Sequence, residues 1–198
     1  MHERNHLYPI FLKANQLNIL IVGGGHVAEE KLHFLLKSSP DAIVSLVSPE
    51  FEKDTLELAK RFDVELIEDT YRKTYLKGKH IVIATTNSPE VNMEVYKDCR
   101  AQSILINVAD NPPYCDFYMG GIVTKGNVKV AISTNGKSPT VAKRLRQFFE
   151  EVIPEDVDDL VNNLNTYRKT IKGNFEKKVQ TLNEVTKGLI KKQEPQHD

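Results

Sequence analysis

Leu17-Asn18-Ile19-Leu20-Ile21-Val22-Gly23-Gly24-Gly25-His26-Val27-Ala28 is the stretch that decides the fold. Its apolar run reads as a parallel strand buried on both faces, stopped abruptly by three glycines. From His26 onward Val27, Ala28, Leu32, Leu35 and Leu36 recur at three- and four-residue spacing, the apolar face of a helix that closes before Pro40. Strand, glycine turn and helix open a βαβ unit. Gly23-Gly24-Gly25-His26-Val27-Ala28 also fits G-x-G-x-x-A. There the first glycine permits the turn, the second lets a pyrophosphate approach the backbone, and the small last residue packs helix on strand. A glycine turn kept only for packing is the plainer alternative, but the flanking strand and helix favour dinucleotide binding.

Working outward, the same grammar repeats. Strands are expected at 43–47, 64–67, 81–84 and 104–108, with helices at 53–62 and, capped by Ser88-Pro89-Glu90, from Pro89 to about Ala101. The expected fold class is α/β, a Rossmann-like doubly wound parallel sheet. Asn111-Pro112-Pro113 breaks the pattern after Asp110. A hairpin is expected next, with strands at 117–123 and 128–133 around a Lys125-Gly126-Asn127 turn, and then an amphipathic helix from Ser138-Pro139 to Val152. Beyond Pro154 the chain is polar with sparse apolar positions, as in a small helical region, and its last six residues are expected to fray. Three regions result: a dinucleotide-binding domain over 1–110, a small α+β segment over 111–153 and a C-terminal helical region over 154–198.

The composition narrows the partners. The chain has 198 residues, 40% of them hydrophobic, enough for a real core, and its 27 basic residues balance its 27 acidic ones. No overall field therefore favours nucleic acid or an anionic membrane. The start lacks the apolar core of a signal peptide and no stretch suits a membrane span, so a soluble cytoplasmic protein is expected. Cys99 and Cys115 form no CxxC pair and read as ordinary thiols, and His26 and His33, without a third ligand, do not suggest zinc.

Candidate site residues gather at the carboxyl ends of the strands, where ligands bind in open α/β sheets. Gly23, Gly24, Gly25, His26, Val27 and Ala28 would hold the pyrophosphate. The second strand ends in Ser48-Pro49-Glu50, so Glu50 or Ser48 would grip a ribose, and the lack of a following Arg favours NAD over NADP. Thr85 and Asn107 sit at strand ends as cofactor contacts or as capping residues, with the two alternatives in balance. Asp110, at a strand end before a rigid Pro-Pro turn, is a candidate general base if burial there raises its pKa. Lys137, Lys143, Arg144 and Arg146 cluster around the helix that opens at Pro139 and would either bind several carboxylates or form a solvated basic face.

Taken in order, Leu7-Tyr8-Pro9-Ile10-Phe11-Leu12, Val22 to Lys31, Ala84-Thr85-Thr86-Asn87, Asn107-Val108-Ala109-Asp110 and Ile132-Ser133-Thr134-Asn135-Gly136-Lys137-Ser138-Pro139 resemble the precorrin-2 dehydrogenase family, the NAD-dependent module of siroheme synthase. The resemblance implies NAD-dependent oxidation of precorrin-2, an octacarboxylate tetrapyrrole, to sirohydrochlorin in siroheme biosynthesis. Some members add ferrochelation to siroheme. It implies a homodimer built through the 111–153 segment, Asp110 as the residue of proton removal and of transient metal contact, and cofactor positions at His26, Val27, Pro49 and Glu50. The basic cluster acquires a substrate, so Ser133, Thr134, Lys137, Lys143 and Arg144 become substrate-binding candidates. Thr134 stands where some relatives carry a modifiable serine, which puts such modification in doubt here. The sequence as given holds no methyltransferase domain, so a separate uroporphyrinogen methyltransferase is expected upstream. The rival classes are a non-enzymatic NAD-sensing Rossmann module and a chelatase whose nucleotide fold is a relic.

Overall fold

The computed structural model describes residues 5–190. β1 (Asn18–Val22) lies at the centre of a five-stranded sheet ordered β3-β2-β1-β4-β5, with β2 (Ile43–Ser48), β3 (Glu65–Glu68), β4 (Ile81–Ala84) and β5 (Leu105–Val108). Every pairing in it is parallel; β1 sets Val22 beside Val47 on one side and beside Ala84 on the other. Side chains alternate across a strand, so Ile19 and Ile21 enter one core with α1 (His26–Ser38), while Leu20 and Val22 enter the other with α3 (Pro89–Ala101). This two-sided burial is why β1 and β4 are apolar at nearly every position. α2 (Lys53–Arg61) packs beside α1, adding the buried Ala59. The α/β doubly wound arrangement is the one expected.

Between β3 and β4 no full helix forms. A short 3-10 turn, Lys73–Leu76, closes the crossover and inserts Leu76 into the α3 side of the core at 1% exposure. Only four residues make that turn, too few to carry a helical periodicity in the sequence.

After β5 the chain departs from the sequence expectation. The first hairpin strand is β6 (Gly121–Lys125), not 117–123, and β7 is Val128–Ile132. Residues 116 and 117 are held against β5 instead. Asp116 N donates to the Ile106 carbonyl (2.8 Å), its carboxylate accepts from Ile106 N (3.1 Å), and Asn107 Nδ2 donates to the Phe117 carbonyl (2.8 Å). Lys125 belongs to β6, so the turn shrinks to Gly126-Asn127, a length that joins antiparallel neighbours. α4 (Pro139–Val152) follows. The tail forms two helices, α5 (Val157–Thr170) and α6 (Phe175–Thr186), divided where Gly173 takes φ +126° and Asn174 caps α6 by accepting from Lys177 N (3.0 Å). The fraying expected of 193–198 lies outside the described residues.

Two compact units are present, Met1–Ile122 with Ala131–Arg146 and Val123–Val130 with Gln147–Asp198. The first contains the parallel sheet. In the second, Asp158 of α5 accepts from Asn127 N and Nδ2 at the hairpin turn (2.6 and 2.8 Å), which holds its carboxyl below the usual carboxylate range. Leu20 is fully buried at the centre of β1, so Leu20→Ala should cost about 3 kcal/mol. Urea unfolding should show it as a lower midpoint at unchanged slope.

Candidate functional site

The glycine turn is shaped by three neighbouring backbone segments. Gly23 has φ +129°, and a methyl group on it would lie 2.5 Å from Thr85 Oγ1, so both the backbone conformation and the space require glycine. A methyl on Gly24 would strike the Glu50 carbonyl oxygen and lie 2.8 Å from Ser48 Oγ. Gly24 O accepts from Glu52 N (2.9 Å) and from Thr55 Oγ1 (3.1 Å), and Gly23 N donates to Val47 O (2.9 Å). Gly25 is different. It caps α1 without a side chain, and a methyl there would meet only the Glu52 carboxylate, 3.3 Å from Oε1. The face of Gly25 is therefore open toward the cleft, and the first-turn N–H groups of α1, which lack intrahelical acceptors, point the same way.

A cleft of about 560 Å³ runs along the carboxyl edge of the sheet in front of this turn. It gathers Gly23, Gly24, Gly25, His26 and Val27 from the turn, Ser48, Pro49, Glu50 and Glu52 from the loop after β2, and Thr85 from the end of β4. Ala28 lies beneath it, fully buried, where only a small residue lets α1 approach β1. No Lys or Arg lines the cleft, and Glu50 and Glu52 do.

Thr85 is buried, and its hydroxyl donates to the Val22 carbonyl (2.9 Å), so its side chain braces the glycine turn. Asn107 is not in the cleft lining; its amide is spent on Phe117 O and on Cys115 Sγ (3.4 Å). Asp110 stands at the carboxyl end of β5, on the same sheet edge but outside the cleft lining. Its backbone is left-handed, φ +58°, and its side chain is exposed. The partial burial expected of it is not supplied by this chain alone, because the Pro112–Tyr114 turn follows without covering it.

The Ser133–Ser138 loop precedes α4. Thr134 Oγ1 donates to Ser138 O (3.0 Å) and accepts from Ser138 N (3.2 Å), while Ser133 Oγ accepts from Asn135 N (3.1 Å). These hydroxyls shape the loop. Lys137, Lys143 and Arg144 are exposed around it, and none of the five lines the cleft.

The sequence places Thr86 and Asn87 at this edge, and both line the cleft from the β4–α3 connection, but other cleft residues escape it: Thr70 and Tyr71 from the loop after β3, Ser88 at the start of α3 and Val91 in its first turn. Asn92, buried at 7%, clamps that connection by accepting from Thr86 N (3.1 Å) and donating to Thr86 O (2.9 Å). Their shared signal is position alone, since each follows the carboxyl end of a parallel strand. Among the thiols, burial pushes Cys99 up to about 12, and Cys115 is likewise raised by burial. Neither suits a nucleophile.

A parallel sheet in this order, with a glycine turn opening a helix at the end of its central strand, defines a Rossmann-type dinucleotide-binding protein. Comparison with known proteins agrees. A family model described as NAD(P)-binding matches residues 10–121, and one described as sirohaem biosynthesis protein central matches residues 125–151. The chain belongs to this NAD(P)-binding family of siroheme-synthase modules, and NAD is the cofactor the match supports. It is 36% identical over 84% of its length to a siroheme synthase of Pseudoalteromonas translucida (strain TAC 125). With one of Hydrogenovibrio crunogenus (strain DSM 25203 / XCL-2) it shares 37% identity over 83%. It spans about a third of the length of these relatives, 35% in each case. The solved structure titled "SirC, precorrin-2 dehydrogenase" has the same fold at a TM-score of 0.75 and 19% identity, covering 90% of this chain and 89% of that one. No helix among the described residues is long and apolar enough to cross a membrane.

The contrast between adjacent glycines is testable. Gly24→Ala forces backbone against backbone and should lower the melting temperature by about 10 °C or more, whereas Gly25→Ala displaces only a flexible side chain and should stay within about 2 °C of wild type. Differential scanning calorimetry distinguishes the two.

Proposed function

We propose that the chain oxidises precorrin-2 to sirohydrochlorin with NAD, as a step of siroheme biosynthesis. The observation that carries this is the combination of an open glycine turn on a cleft free of Lys and Arg with a free-standing carboxylate, Asp110, on the same sheet edge. The likeness to siroheme synthases over 84% of the chain supplies the substrate.

NAD, when bound, accepts a hydride from the macrocycle. The chain's own residues do the rest. The backbone around Gly25 and the first turn of α1 receive the pyrophosphate. Glu50 and Ser48 take ribose hydroxyls, and the absence of a cation leaves a 2′-phosphate uncompensated beside two glutamates. Asp110 accepts the proton released from a ring carbon as hydride leaves its neighbour, so one hydride and one proton depart together. A second copy of the chain would bury Asp110 and supply the desolvation that a single chain lacks. The exposed apolar face of α4, with Val141, Leu145, Phe148 and Val152 all at least 40% exposed, is where we place that homodimer contact. Lys137, Lys143 and Arg144, with Ser133 and Thr134, are assigned to the substrate carboxylates. Asn107 supports the β5 end from behind.

The functional division follows the three regions: cofactor binding in 1–110, dimer and substrate contacts in 111–153, a helical region in 154–198. Ferrochelation is a further assignment for Asp110, which would take pyrrole protons as ferrous iron, a substrate here, enters the ring. Precorrin-2 is supplied by a uroporphyrinogen methyltransferase, and we place the chain in the cytoplasm.

The direct test is anaerobic turnover of enzymatically generated precorrin-2 with NAD, followed by NADH absorbance. NADH growth supports the dehydrogenase, and iron-dependent loss of the free sirohydrochlorin spectrum beyond an enzyme-free control adds the chelatase. NAD binding without NADH formation would favour a sensor module, and iron insertion without NAD binding a chelatase with a relic nucleotide fold. Asp110→Ala should lower kcat by about 100-fold or more with the NAD dissociation constant within twofold of wild type. Gly25→Asp should abolish NAD binding by setting a carboxylate against the pyrophosphate, and wild type should prefer NAD to NADP by about tenfold or more.

A further inference from the structure

The loop between β3 and β4 carries a second feature that the fold does not require. Asp69, directly after β3, is a hub: it accepts from Thr70 N (2.8 Å), from Tyr75 Oη (2.5 Å) and from Arg72 Nη2 (3.0 Å). The Tyr75 hydroxyl above all holds its carboxyl below the usual range. Its own N–H donates to Ser48 O (3.1 Å), which pins the loop to the end of β2 beside Glu50. Tyr71, two residues on, is partly buried against the α3-side core, and its hydroxyl donates to Asp98 Oδ2 (3.2 Å) on α3. Asp98 is itself paired with Lys73 Nζ (3.3 Å). Burial, together with the Asp98 carboxylate, pushes the phenol far above its ordinary value, so the hydroxyl stays a donor.

The ring is therefore anchored at its far end while it lines the cleft together with Thr70 and Val91. Its place along the cleft fixes what it can meet. The pyrophosphate belongs at Gly25, and the acid after β2 takes the ribose on the adenosine side. The remaining end of the dinucleotide on that side is the purine, and the structure that follows β2 in the sheet order is β3 with its Thr70-Tyr71 loop.

We propose that Tyr71 is the residue that positions the adenine ring, forming an aromatic wall whose orientation is set by the hydrogen bond to Asp98. This deepens the dinucleotide assignment above and rests on it. A fixed aromatic face suits a purine because stacking needs a planar partner already in place, and a tethered ring loses little freedom on binding. Thr70, the neighbouring residue in the lining, supplies a hydroxyl beside that ring.

The test uses the intact chain in calorimetric titrations with NAD, ADP-ribose and nicotinamide mononucleotide. Tyr71→Leu keeps apolar volume against the core while removing the aromatic face, and Tyr71→Phe keeps the face while removing the tether. Tyr71→Leu should weaken NAD and ADP-ribose alike by about tenfold and leave the mononucleotide within twofold. Tyr71→Phe should show a smaller loss on the same two ligands. Equal weakening of all three ligands, or unchanged ADP-ribose binding by a Tyr71→Leu protein that melts like wild type, would overturn the role of Tyr71 while leaving the dinucleotide site standing. Wild type that binds none of the three would remove the dinucleotide site itself.

Discussion

Where β1 ends, the backbones of three loops meet too closely for any side chain to stand between them. Gly23 lies against Thr85, Gly24 against the Glu50 carbonyl, and a hydrogen bond to the Val47 carbonyl with others from Glu52, Thr55 and Thr85 closes the junction. The carboxyl ends of β1, β2 and β4 are thereby fixed in one plane, and α1 starts from that plane with its N–H groups facing outward. Ala28 completes the arrangement, since a larger residue there would lever α1 off the sheet. Everything the cleft can do follows from this junction, because its floor and its anion-binding surface are the same few peptide groups.

The cleft built on that floor has no cationic Lys or Arg side chain in its lining. Its lining has hydroxyls, peptide N–H groups, a histidine and two glutamates. Such a surface relies on oriented dipoles at short range, so it selects by geometry rather than by attracting any passing phosphate. The β4–α3 connection contributes to the same rigidity: Asn92 holds both polar groups of the Thr86 peptide, and Ser88 caps α3 by accepting from Val91 N (3.2 Å). Basic residues are placed elsewhere, with Lys137 exposed on the loop before α4 and Lys143 and Arg144 exposed on α4 itself.

Asp110 and one face of α4 are both exposed in this chain. The Asp110 backbone is left-handed, φ +58°, and the residue stays exposed beside the Pro112–Tyr114 turn. The exposed Val141, Leu145, Phe148 and Val152 repeat along α4 at the spacing of one helix face, a pattern that places apolar surface where a single chain gives it no cover.

The amino-acid sequence by itself determined the sheet, because parallel strands buried on both faces must be apolar throughout and the glycine turn has one conformation that suits it. It located β1, β4, α3 and α4 closely and singled out the turn residues of the cleft, whose chemistry lies in their own backbone. Tertiary structure alone decided the rest. Phe117 reads as the start of a strand by alternation, yet Asn107 and the neighbouring Asp116 tie it to β5, bonds between segments that no local pattern records. For Thr85 and Asn107 the sequence leaves cofactor contact and capping in balance, and only the fold shows what their side chains reach: the Thr85 hydroxyl bonds Val22 O at the edge of the cleft, and the Asn107 amide bonds Phe117 O away from it. Tyr71 carries no motif at all. Its place in the cleft depends on Asp98, 27 positions away on α3, and only the folding of β3 and α3 onto one sheet brings the two together.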